Sequence, residues 1–125
     1  MNNNKNIGDI GEDLACHFLV KKRYRILFRN YREKFDEIDI VVRSFDDILV
    51  FVEVKTLKKN IGDLIPEDNL TKNKLKKITR ACHLFIDSHR GLVSERRGWR
   101  IDLIAVTLGE GKDHTINHYE NITAT

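Results

Sequence analysis

The feature that most narrows what this chain can fold into is a pair of apolar runs, 37–43 and 48–55, joined by the short polar stretch 44–47. Both runs are rich in Val, Ile and Phe, and two such runs with so short a polar link read as an antiparallel hairpin. Centring the turn on Asp46 sets Val41 opposite Phe51, Asp39 opposite Glu53 and Glu37 opposite Lys55. Strand side chains alternate between faces, so Glu37, Asp39 and Val41 are expected on one face with Leu49, Phe51, Glu53 and Lys55. Ile38, Ile40 and Val42 take the other. A one-residue slip would displace the whole apolar set, so packing defends this register.

The same register brings charges together. Directly opposed strand residues have Cβ atoms roughly 5 Å apart, and two carboxylates at that distance repel by roughly 3 kcal/mol at an effective dielectric near 20. A counterion is implied. Asp39 and Glu53 suit one small divalent cation, with the Val54 backbone carbonyl completing its oxygen shell, and hard oxygen ligands favour Mg2+ or Mn2+ over zinc. Lys55 would position an attacking water or stabilise developing charge, the arrangement of a metal-dependent phosphodiesterase. A structural ion-pair network is the competing account, since surface pairs are common and individually weak. Against it stands the placement of these charges beside Phe51 and Val54, in a strand that otherwise belongs inside.

Around the hairpin, Ile10, Leu14, Ala15, Phe18 and Leu19 recur at helical intervals and predict a first helix over 7–22. Residues 24–30 read as an edge strand. The stretch 57–70, with Gly62 and Pro66, reads as a long mobile loop, followed by a helix over 71–88 with a buried stripe of Leu75, Ile78, Cys82, Phe85 and Ile86. Asp68, Asn69 or Thr71 would cap it. After a polar connector, 90–98, the apolar run 99–108 is an interior strand, and 115–119 a short terminal one. The order αβββαβ plus a terminal β predicts an α/β fold, a mixed central sheet flanked by helices, in a single domain over 1–125.

Glu12 is a candidate fourth acid. Helical spacing puts it on a face with Gly8, Ala15 and Leu19, a small surface able to approach the sheet closely; a favourable charge at a helix start is the alternative. Lys74, Lys77 and Arg80 crowd the second helix and Arg100 follows the connector; these are phosphate-binding candidates or solvated flanks. Asp102 either holds Arg100 in place or belongs to the acidic site. Trp99 and Tyr31 are either base-stacking groups or rim anchors.

Composition sets limits rather than answers. With 41% hydrophobic and 33% charged residues, one proline and a formal charge of +3, the 125-residue chain is an ordinary globular one. The longest apolar run is far too short for a membrane span and the start lacks a secretory signal, so a cytoplasmic location without membrane contact is expected. Cys16 and Cys82 read as buried free thiols. His114 and His118 lie four apart in a strand, where that spacing makes no metal pair. None of the three serines sits in a nucleophile elbow.

Asp39, followed after thirteen residues by Glu53-Val54-Lys55, resembles the signature of the PD-(D/E)xK nuclease superfamily. More narrowly, GDIGEDLACHFL (8–19), DEIDIVV (36–42), LVFVEVKT (49–56), Lys74 with Lys77-Ile78, RIDLIAV (100–106) and HYEN (118–121) together resemble the YraN family, also called UPF0102. The resemblance covers nearly the whole chain. It implies a restriction-endonuclease-like core, with Glu12, Asp39, Glu53 and Lys55 at the nuclease positions and Glu37 within the family's acidic motif. Asp36 stands where glycine is common in that motif. The implied activity is phosphodiester hydrolysis with Mg2+ or Mn2+ on a nucleic acid, DNA favoured over RNA, with a homodimer compatible. Binding without cleavage is the alternative, and a protein-interaction module a second.

Overall fold

A computed structural model describes residues 6–59 and 70–122. Its elements run α1 (Ile7–Lys21), β1 (Arg25–Glu33), β2 (Asp36–Arg43), β3 (Leu49–Lys58), α2 (Lys72–Ser88), a 3-10 turn (Arg90–Leu92), β4 (Trp99–Leu108) and β5 (His114–Tyr119). This is the expected order, and the sheet is mixed. The strands lie β1-β2-β3-β4-β5, antiparallel except for the parallel β3–β4 pair. The loop expected over 57–70 falls largely outside the described residues, although β3 itself continues to Lys58.

Local chemistry explains where the helices start. The Asn6 side chain accepts a hydrogen bond from the Asp9 N–H, and Thr71 does the same for Lys74, each satisfying a donor that a helix start would leave unpaired. The two helices cover opposite faces. Ala15 and Leu19 of α1 pack with Ile40, Val42, Val50, Val52, Ile104 and Val106. On the other face Ile78, Ala81, Cys82 and Phe85 of α2 pack with Val41, Leu49, Phe51 and Ile101. Each large side chain so buried contributes roughly 1.5–3 kcal/mol. Among the described residues, no helix is long and apolar enough to cross a membrane.

The hairpin register centred on Asp46 is observed from Ile40↔Val52 to Arg43↔Leu49. The expected face of Ile38 is not. Ile38 joins the α2 cluster with Val41, while Ile40 and Val42 join the α1 cluster, so alternation breaks between residues 38 and 40. The same break shows in β1, where Phe28 and Tyr31 both pack on the α2 side. Between them Asn30 has φ +51°, a left-handed residue that turns the strand as a bulge does. Glu37 therefore does not stand opposite Lys55; it pairs with Arg32 on β1.

Candidate functional site

Beyond Ile40 and Val52 the β2–β3 ladder ends. β2 continues against β1 as far as Glu33↔Asp36, and β3 continues against β4 as far as Lys58↔Leu108. The sheet forks here, with Asp39 and Glu53 at the branch. Asp39 Oδ2 accepts a 2.8 Å hydrogen bond from the Val54 N–H, taking the donor that β2's backbone no longer meets. An extended residue directs its N–H and C=O to the same edge, so the Val54 carbonyl also faces the fork.

The Asp39 carboxyl lies close enough to Glu53 to act on it both through its side chain and through its charge. Burial, then the hydrogen bond and charge of Asp39, push Glu53 up to about 9; the nearby charges of Lys74 and Lys55 pull the other way without prevailing. Glu12 is pushed up to about 7 by burial and by Asp39, with Glu37 and Asp9 adding to the rise and Arg29 opposing it. The ion pair from Arg29 to Glu12 is long, 3.8 Å, and Glu12 Oε1 is buried without a hydrogen-bond partner. Below Glu53 the Cys82 thiol is pushed up by burial and by Glu53 itself.

Glu12 reaches this position because of the glycine before it. A Cβ built on Gly11 would lie 1.8 Å from Thr56 Oγ1 and 2.7 Å from Thr56 Cβ, so only glycine lets α1 approach β3 this closely. Arg29, a counter-charge that sequence reasoning missed, comes from β1 and bonds Asp13 at 2.9 Å. Nothing in its local sequence signals this, because the contact depends on α1 docking.

The structure divides the remaining candidates. Lys74 on α2 lies close enough to lower the Glu53 value, as does Lys55. Arg80 holds Asp36 through two bonds of 2.8 and 2.9 Å, and the Lys77 charge also acts on Asp36. Arg100 is committed elsewhere, to Asp102, the Tyr24 hydroxyl and Glu120. Asp102 is fully buried and accepts hydrogen bonds from Arg100, the Asn121 N–H and, at 2.8 Å, His118 Nε2. Burial alone would raise it, but bonds from His118, Arg100 and Asn121 outweigh that and hold it low. Asp102 thus ties β4 to β5 and the segment after it, and Arg100 extends the tie to Tyr24. Tyr31 and Trp99 pack on Phe85 and Phe51 respectively, as rim anchors do.

Among the described residues no three His, Cys, Asp or Glu side chains converge as a ready-made metal shell. Two carboxylates, a carbonyl edge and the orphaned Glu12 oxygen are what the fork offers. That donor set fits a magnesium-type ion, which keeps several waters and takes one or two carboxylates plus substrate phosphates.

Comparison with known proteins gives a consistent family. The model of the Uncharacterised protein family UPF0102 matches residues 11–106. UPF0102 proteins of Trichlorobacter lovleyi and Alkaliphilus oremlandii are 37% and 42% identical over 118 residues, covering 94% of this chain and 90% and 97% of theirs. That of Thermotoga neapolitana is 43% identical over 103 residues, covering 82% of this chain and 88% of its own. Among solved structures, an EndoMS–dsDNA complex aligns with a TM-score of 0.47 at 13% identity, covering 89% of this chain and 41% of that one. Pyrococcus furiosus SfsA in complex with Ca2+ aligns with a TM-score of 0.37 at 11% identity, over 91% of this chain and 64% of that one.

Proposed function

This chain belongs to the UPF0102 family, and on that premise we propose that it is a Mg2+- or Mn2+-dependent phosphodiesterase acting on nucleic acid, with its centre at the sheet fork. One observation carries the proposal: the half-buried Glu53 lies against a second carboxyl, Asp39, and burial together with that neighbour raises it against the opposing charges of Lys74 and Lys55. Leaving such a pair uncompensated is costly, and burial with like charge is how sites prepare a ligand set or an acid–base pair.

Asp39 and Glu53 would hold the ion, with the Val54 carbonyl at its edge. When bound, it would supply a polarised phosphate and an acidified water. Asp39 is held in place by the Val54 N–H, so its orientation costs nothing at the moment of binding. Lys55, two residues along the strand from Glu53, keeps a cation beside the position where phosphate charge develops. Glu12, with its value near neutrality and a free oxygen, is suited to accept a proton from water. Lys74 draws the phosphate backbone in without reading sequence. DNA over RNA, and pairing of two copies to address two strands, belong to the same proposal.

A second reading has its own support. Glu53 keeps its proton at neutral pH, which weakens it as a ligand, and this favours a chain that binds nucleic acid without cleaving it. The test is a panel of single-stranded, duplex, flapped and branched DNA and RNA incubated with Mg2+ or Mn2+. Wild type is compared with Glu53→Gln and Lys55→Ala after all three are shown to fold. Metal-dependent cleavage lost in both variants supports the phosphodiesterase; salt-sensitive binding without cleavage supports the binding protein; neither result leaves both without support.

A further inference from the structure

The fork leaves one part of the sheet projecting. Past Ile40 only β1 and β2 remain paired on that side, and they run on as a two-stranded arm to Glu33↔Asp36. Its tip is the two-residue loop Lys34-Phe35, and Phe35 is 95% exposed. Lys34 has φ +54°, the left-handed conformation that two-residue hairpins usually give to Asn or Gly. Phe35 buries almost none of its ring against the rest of the fold.

The arm is also held still. Asp36 is clamped bidentately by Arg80 of α2, and Arg32 pairs with Glu37 across the strands. Phe35 is therefore a fixed projection. It stands four strand residues from Asp39, roughly 13 Å, about the length of four stacked nucleotides. Between tip and centre the acids Asp36 and Glu37 are already paired, with Arg80 and Arg32, which leaves Lys34, exposed at the tip, and the charges of Lys77, acting on Asp36, and Lys74, acting on Glu53, to outweigh Glu33. That charge favours a polyanion over an apolar protein partner.

We infer that Phe35 is a base-stacking element, which receives an unstacked base of the nucleic acid whose backbone lies at Asp39 and Glu53. The substrate class is then single-stranded or locally opened nucleic acid in preference to continuous duplex, because only an unpaired base offers a free face to the ring. This inference rests on the nucleic-acid function proposed above.

The test uses the full chain, with EDTA present to prevent cleavage, and a single-stranded DNA carrying 2-aminopurine, whose emission reports stacking. Phe35→Ala should bind this strand about tenfold more weakly, the effect of losing one base–aromatic stack, and abolish the emission change. Phe35→Trp should restore both. The matching duplex should lose less than about twofold. Phe45→Ala, which removes the exposed aromatic at the opposite hairpin tip, should leave single-strand binding unaltered. If Phe35→Ala binds the strand as wild type does, or Phe45→Ala loses as much, the stacking role is wrong while salt-sensitive binding still upholds the nucleic-acid function. If wild type binds no nucleic acid at all, that function fails and the inference fails with it.

Discussion

Asp102 and Glu53 sit one step apart on neighbouring strands, Asp102 paired with Val52 and Glu53 with Leu103, yet their chemistry runs in opposite directions. Asp102, fully buried, meets an arginine, a histidine and a backbone N–H, and stays ionised. Glu53 meets another carboxyl and keeps a proton. Burial penalises both; what differs is whether the protein supplies the donors. Where it does, a buried carboxylate is a tie between strands. Where it does not, the chain keeps a group whose compensation has to come from outside, which is why we propose the fork as the site.

The largest effect that separates the two should come from Asp102→Ala. It strands Arg100 and His118 without their acceptor, and removing one partner of a buried pair costs about 3–5 kcal/mol, read from the urea unfolding midpoint. Glu53→Gln should cost far less at neutral pH, and equal costs would erase the distinction. Next comes Gly11→Ala, whose Cβ collides with Thr56. Overpacking of this kind costs about 1–3 kcal/mol, and Thr56→Ala in the same chain should recover part of it, a coupling that a double-mutant cycle measures.

The pH dependence of stability differs in sign between the two groups. Glu53 is pushed up to about 9 when folded, from an ordinary value of 4.5. The folded chain thus binds more protons in that window, and stability falls as pH rises through it. Glu12 adds the same sign up to about 7. Asp102 acts oppositely: its folded value lies below 3.8, so its contribution is present above that and lost as pH falls through the lowered value. Thermal melts from pH 5 to 9 should show a declining Tm in wild type and a flatter profile in Glu53→Gln. The smallest effect is that of Lys74→Ala, which should weaken nucleic-acid binding severalfold and lower its salt slope by about one.

Much of this was legible in the sequence. The register of β2 on β3 followed from Val41 and Phe51, because burying both fixes the pairing. Element order and the α2 stripe followed from periodicity, although Ala81 is buried where Leu75 and Ile86 are only half-buried. The close approach of α1 to the sheet was foreshadowed by the small face that Gly8 and Ala15 give it, although the contact itself falls at Gly11. What stayed hidden depends on tertiary geometry. The break of alternation at Ile38 coincides with a left-handed Asn30 on the neighbouring strand, which no period-two count reveals. The partners of Asp102 come from β5 and the segment after it, so His118, dismissed as half of a helical metal pair, turns out to be a donor to a buried carboxylate. Arg80 and Arg100 read as phosphate contacts because their charge is visible in sequence and their internal acceptors are not.

The most direct test of the central claim, that the fork takes its compensating charge from outside, is calorimetric titration of Mn2+ at pH 7.5 in buffers of different ionisation enthalpy. Metal ligands must shed their protons to bind, so the wild-type chain should bind Mn2+ and release about one proton per ion, more in total as Glu12 joins in. Asp102→Asn, if folded, should release the same; Glu53→Gln should lose the binding or bind without release. Wild-type binding with no proton release, binding unchanged in Glu53→Gln, or no binding at all would contradict the account.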